Sequence, residues 1–262
     1  MRTLACLVTG VLFGCGAAAA ADSSAPGNPD TIHVNAMRDP EVRKYAAIVA
    51  GLDEFTRHHG MAPAVDILRF RIEPRAGKAA TVSADAAAMI VRLEGDDGFV
   101  LPLPVDANLD IAVPRSEKAL AARSEMTLNR KRHDYRITPR VRTPGLPDNM
   151  RRMGDLRLEC KVWVAIGKEE IGLMLTLTVN SILMTRDWCA FFDGKHDGFS
   201  FRTTERVAQA ILVEGNLSRA LQHAGRSFSV PLHDPTWSDE ALIELTFEPP
   251  TETAGETPRT GP

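Results

Sequence analysis

What this chain has little of narrows it first. Only four of its 262 residues are cysteine, and aromatic residues make up 6%. It has no apolar run of the length needed to span a bilayer as a helix. It has no GxSxG turn, which argues against a serine hydrolase of that type, and no glycine-rich phosphate loop. It has no surplus of basic charge: 31 Lys and Arg stand against 34 Asp and Glu, a net charge of −3. A nucleic-acid backbone is therefore not expected as the main partner. No internal repeat and no cofactor-binding motif is present, so no cofactor is expected.

What is present starts with an address. Arg2 is followed by an apolar stretch, Leu4 to Phe13, and by the small residues Ala17 to Ala21. This is the pattern of a secretory signal peptide over 1–21, cleaved before Asp22. The same region carries a second reading. Leu12-Phe13-Gly14-Cys15 resembles the lipobox of bacterial lipoproteins, and the resemblance implies lipidation of Cys15 and attachment to a membrane. On either reading the protein is exported, to the bacterial periplasm or cell envelope. Residues 22–38, rich in Ala, Ser, Pro, Gly and Asp, suit a linker or tether.

Export also fixes the cysteine chemistry. Removal of the leader takes Cys6 with it, and Cys15 is either removed or lipidated. Cys160 and Cys189 remain, in an oxidising compartment, and a disulfide between them is the expectation. Their spacing is far from the CxxC of a redox pair.

Between the linker and the tail, most of the chain alternates with period two. Leu68, Phe70 and Ile72 alternate with Arg69, Arg71 and Glu73. Met89, Val91 and Leu93 precede the turn Gly95-Asp96-Asp97-Gly98, and Phe99, Leu101 and Leu103 follow it, which reads as a hairpin. The even positions from Leu156 to Ile166 are all apolar, and the pattern predicts a core strand there, the first part of an organising stretch that runs from Asp155 to Cys189. Before these strands, Asp39-Pro40-Glu41 reads as a helix start, with Val42, Tyr45, Val49 and Leu52 at helical spacing. Residues 168–184 are apolar nearly all round, which suits a buried helix, with a strand as the alternative.

The expectation is a mostly β protein: sandwich-like antiparallel sheets, an N-terminal amphipathic helix and one buried helix at 168–184. The domain reading is a helix plus β-sandwich-like module over 39–184 and a smaller β module over 185–248 packed on it. Residues 249–262 lack large apolar side chains and read as a disordered tail.

Four stretches invite a functional reading. The tract from Arg123 to Arg157 is basic, and Arg136, Arg140 and Arg142 are candidates to bind an anionic envelope component; charged outward strand faces explain the same residues. Glu54 and His58 share one helical face, a geometry open to a metal, but the histidines equally suit a helix C-terminus, and no metal is expected. Residues 193–198 begin like a calcium loop, but Lys195 and Thr204 stand where ligands are required. Asp234, Trp237, Ser238 and Asp239 lie in a turn before the last strand, where such residues are ordinary. The reading that follows is a non-enzymatic binding or structural module of the envelope. An exported hydrolase acting on a cell-wall or glycan substrate is the alternative, and anionic-lipid binding through the arginine tract a further one. Membrane association is expected only through a lipid on Cys15.

Overall fold

The computed structural model describes residues 39–75, 88–190 and 198–249. The leader, the linker, Cys15, residues 193–197 of the calcium-like loop and the tail beyond Pro249 lie outside the described residues. In chain order the elements are β1 (Pro40–Lys44), α1 (Tyr45–Arg57), β2 (Arg69–Pro74), β3 (Val91–Glu94), β4 (Val100–Leu103), β5 (Asp110–Ala112), α2 (Glu117–Ala121), β6 (Glu125–Lys131) and β7 (Tyr135–Arg140). Then come β8 (Met150–Arg152), α3 (Met153–Ile171) and α4 (Leu173–Leu183). The last are β9 (Phe199–Arg202), β10 (Val207–Glu214), β11 (Leu217–Ala220), β12 (His223–Ala224), β13 (Ser227–Val230) and β14 (Leu242–Phe247).

The fold is mostly β, with sandwich-like antiparallel sheets. The sheets run β1-β6-β3-β4, β5-β2-β7, β11-β10-β14-β8 and β12-β13-β9. Alternation explains the first two. Phe70 and Ile72 of β2 are buried while Arg69, Arg71 and Glu73 face outward or into ion pairs. Val91 and Leu93 of β3 stand opposite Leu128 and Met126 of β6, and all four are buried. The β3–β4 hairpin forms where the sequence predicts it, and its turn places Asp97 at a positive φ of 56°.

The N-terminal amphipathic helix is α1, which buries Tyr45, Ile48, Leu52 and Phe55 on one side. It starts later than the sequence predicts. Residues 40–44 form an edge strand because they pair with β6 over Glu41↔Leu128 to Lys44↔Glu125, which gives partners to the backbone groups that face β6. That pairing also carries Glu41 inward, where its Oε1 accepts from the Ile137 N–H at 3.4 Å.

The main correction concerns 156–166, which is not a strand but the middle of a 19-residue helix, α3. The period-two pattern has a physical origin. Leu158, Val162 and Ile166 recur every four residues and enter one core, with α1 and the first two sheets. Met153, Leu156 and Cys160 recur at three and four and enter a second core, with the last two sheets. A helix advances 100° per residue, so these two stripes lie on nearly opposite sides. Superimposed in the sequence, they make every even residue apolar. The stretch does organise the fold, as the shared wall of two cores. Close approach on the first side requires Gly51: a Cβ there would lie 2.8 Å from Ile166 Cγ1.

The second correction is at 168–184. Residues 168–171 finish α3, Gly172 breaks the helix at φ 80°, and α4 begins at Leu173. The segment is helical but not buried. Leu173 is 72% exposed, Met174 79% and Ile182 73%, and on α4 only Thr176 is buried.

Candidate functional site

Polar residues near the core are engaged with one another. At the start of α3, Asp155 is fully buried; its carboxylate accepts from the Thr143 N–H at 2.6 Å and from Thr143 Oγ1 at 2.8 Å. One turn on, Glu159 accepts from the Val141 N–H and from Arg151 Nη2, both at 2.9 Å. Burial pushes the Glu159 carboxyl up from its ordinary range, against the pull of Arg151. These two acids tie α3 to the strand-to-turn stretch that precedes β8.

The arginines singled out in the sequence are held in the same way. Arg136 Nε donates to Glu73 at 3.0 Å across the β2–β7 pair. Arg140 is the exception: its buried Nη1 makes no hydrogen bond and is only within ion-pair distance, 3.8 Å, of Asp110, which takes two bonds from Arg71 at 2.7 and 2.9 Å. Arg142 donates to the backbone oxygens of Met150, Leu146 and Pro147 at 3.0, 2.9 and 2.6 Å, closing the loop before β8. Burial lowers the Arg142 pKa.

The turn before β14 is built around Arg157. Its guanidinium donates to Asp239 at 2.6 Å and to the carbonyls of Leu232, Trp237 and Asp234 at 2.7, 2.9 and 3.3 Å. Ser238 bonds Glu214 through its N–H at 2.9 Å and also through its hydroxyl. Asp234, Trp237, Ser238 and Asp239 are thus brought together, and their partners are those of a pinned turn.

Glu54 is shared between Arg57 and His58, with His58 Nε2 at 3.1 Å. His59 Nε2 lies 2.9 Å from the Val65 carbonyl. Among the described residues, no group of three or more His, Cys, Asp or Glu stands close enough to hold a metal ion.

Cys160 and Cys189 form the expected disulfide, with Cα atoms 6.2 Å apart. It fastens the start of the segment after α4 to the middle of α3. Beside it opens a cleft of about 620 Å³ between α1 and the α3–α4 corner. Some of its charges are matched, since Arg57 faces Glu54 and Lys161 is 3.9 Å from Asp187, while Lys168, Glu169 and Arg186 on its wall form no ion pair among the described residues. Burial alone would raise the Asp187 pKa, but the Ala190 N–H, Lys161 and His233 together bring it below its ordinary value.

The surface that differs from all of this is α4, along the outer lip of the cleft. It touches the body through α3 and through a few specific bonds. Lys168 Nζ donates to the Arg186 carbonyl at 2.6 Å and sits 5.1 Å over the Trp188 ring. Trp188 Nε1 donates to Asn180 Oδ1 at 2.8 Å. Thr176 Oγ1 donates to the Lys168 carbonyl at 3.1 Å. These bonds hold the strip Thr176, Val179, Asn180 and Leu183 against the protein. The remaining residues of α4 face outward over an arc of roughly 200° at 100° per residue. Six large apolar side chains between Leu173 and Met184 are exposed by half or more. At on the order of 100 Å² each, they make a patch near or above the largest found on typical monomers. The sequence shows the apolar run; whether anything covers it depends on tertiary neighbours that no local pattern encodes. No protein-family model, no curated protein and no solved structure matches this chain.

Proposed function

We propose that this is an exported, non-enzymatic binding module of the cell envelope, and that α4 is its contact element. The observation that carries the reading is the broad exposed apolar arc of α4 on a body whose arginines and buried acids are engaged in holding the fold. A large contiguous apolar surface marks an interaction site rather than a solvated face. The disulfide and the leader-like N-terminus support an oxidising, extracytoplasmic setting.

The test uses the mature protein and isolated envelopes from a Gram-negative host. Co-sedimentation is expected, and a Leu173→Ser, Met174→Ser, Ile182→Ser variant is expected to lose it, while Arg136→Ala is expected to retain it. Incubation with peptidoglycan and with acidic glycans, followed by mass spectrometry, is expected to release no product. Product formation in proportion to protein added would favour the exported hydrolase instead and end this reading.

A further inference from the structure

Resting on the reading of α4 as the contact element, we infer that its occupant is lipid: the outer arc of α4 inserts into the boundary between headgroups and acyl chains, so that the protein sits on a membrane through a single in-plane helix.

Three features of the helix suit hydrocarbon. The first is polar satisfaction. Each hydroxyl on α4 donates within the chain: Thr176 to the Lys168 carbonyl, Thr178 to the Met174 carbonyl at 3.0 Å, and Ser181 to the Leu177 carbonyl at 2.9 Å. Exposed Thr56 of α1 makes the same bond to Leu52, so the pattern is compatible with water, but it also spares these hydroxyls the cost of going unpaired in an apolar medium. Asn180, the most polar residue of the helix, lies on the inner strip and accepts from Trp188. The outer arc thus offers a solvent almost nothing but carbon.

The second is charge complementarity. No ionisable side chain occurs from Gly172 to Thr185. The cations come at its borders, Lys168 before the helix and Arg186 after it, and among the described residues neither has a carboxylate within ion-pair distance. The neighbouring acids are mostly occupied: Glu170 by Arg43 at 2.6 Å and Asp187 by Lys161 and His233, with Glu169 the exception. An uncharged apolar arc bordered by two cations that lack carboxylate partners suits a lipid surface, in which hydrocarbon lies beneath anionic phosphate.

The third is the width of the arc. A second copy packed helix to helix would cover only the facing part of each arc and leave its flanks in water. Lipid covers the whole arc. The helix is also far shorter than a membrane span, and no helix among the described residues is long and apolar enough to cross a bilayer. Insertion is therefore confined to one leaflet.

The experiment is vesicle flotation of the mature protein, with no other protein present. Vesicles of phosphatidylcholine alone are compared with vesicles containing phosphatidylglycerol. Binding to both is expected, tighter to the second. The Leu173→Ser, Met174→Ser, Ile182→Ser variant, whose changes fall on exposed positions, should partition about 100-fold more weakly or worse. Arg186→Gln should weaken binding to the anionic vesicles by about 5-fold and leave binding to neutral ones nearly unchanged. A Met174→Trp variant reports depth: lipids brominated on the acyl chains should quench its added fluorescence. Absence of flotation overturns the inference. If the protein then forms a dimer that the serine variant abolishes, the occupant is a second copy. If it remains monomeric but still binds whole envelopes through α4, the occupant is another envelope component, and the binding-module reading stands without the lipid.

Discussion

Two glycines in α3 should respond to the same substitution with opposite signs. Gly154 stands in the first turn, where α3 meets the loop after α1 and the turn before β14. Its N–H donates to the Asp239 carbonyl at 2.9 Å. A Cβ built there would lie 2.0 Å from the Met61 carbonyl oxygen, 2.6 Å from Arg152 Nη1 and 3.0 Å from Asp239 Cβ. The nearest of these is backbone, so no rotamer relieves it. Alanine gains about 1 kcal/mol of helix propensity over glycine. Against that stand overpacking at about 1–3 kcal/mol and loss of the Arg152–Met61 hydrogen bond, about 1.5–3 kcal/mol for a charged donor. The net expectation for Gly154→Ala is a loss of about 3 kcal/mol, or a Tm lowered by about 6–12 °C. Gly167 lies in the same helix with nothing within 4 Å of a Cβ. There the propensity term acts alone, and Gly167→Ala should raise Tm by about 2–4 °C. Scanning calorimetry of the two variants beside the parent decides the matter. A Gly154→Ala protein as stable as the parent, or a Gly167→Ala protein no more stable than it, refutes the helical packing argued for residues 153–171.

Two further outcomes follow from the same scaffold. Replacing Cys160 and Cys189 by serine opens a loop set by a separation of 29 residues and should cost about 3.5 kcal/mol, read from urea unfolding with the linear slope compared between proteins. Glu159→Ala leaves Arg151 buried without its carboxylate and should cost about 3–5 kcal/mol, whereas Glu159→Gln keeps an acceptor for the Val141 N–H. The pH dependence has a definite sign. Burial raises the folded-state pKa of Glu159, so the folded state holds the proton over a window above the unfolded value of 4.5 in which the unfolded state has lost it. Relative to Glu159→Gln, the parent should be most stable below that value and lose ground as pH rises through the raised pKa. An advantage over Glu159→Gln that instead grows with pH across this window contradicts the dominance of burial over the Arg151 pair.

Much of the sheet structure is legible in the sequence because one face of each strand is wet. Phe70 and Ile72 against Arg69 and Arg71, or Val91 and Leu93 before Gly95, leave little ambiguity. The disulfide is legible by elimination once Cys6 and Cys15 are assigned to the expected leader. Residues 156–166 mislead for a specific reason: a helix walled by two cores carries two apolar stripes, and their sum imitates a strand. Asp155 and Glu159 hold the missing clue, because an acid at each of these positions fits the buried side of a helix only if Thr143, Val141 and Arg151 are there to receive it. The arginine tract reads as a charged surface because the sequence does not reveal that Arg142 closes its own loop through three backbone carbonyls. For α4, the apolar run is plain, but burial is a property of neighbours, and among the described residues these meet only its inner strip.

The placement of β8 sets an order of assembly. β8 is the edge strand beside β14, pairing Leu242 with Arg152 and Ile243 with Arg151. The first two residues of α3 hydrogen-bond to Ala241 and Asp239. As the chain emerges from its N-terminal end, everything that makes the first core is present once Ile166 has appeared. The opposite side of α3, with Met153 and Leu156, stays uncovered until β9 to β14 have followed and the last strand has returned to Met150–Arg152. A nascent chain paused between Cys189 and Leu242 therefore carries a finished half and a bare apolar stripe on the same helix. That interval is when the protein is most in need of a chaperone.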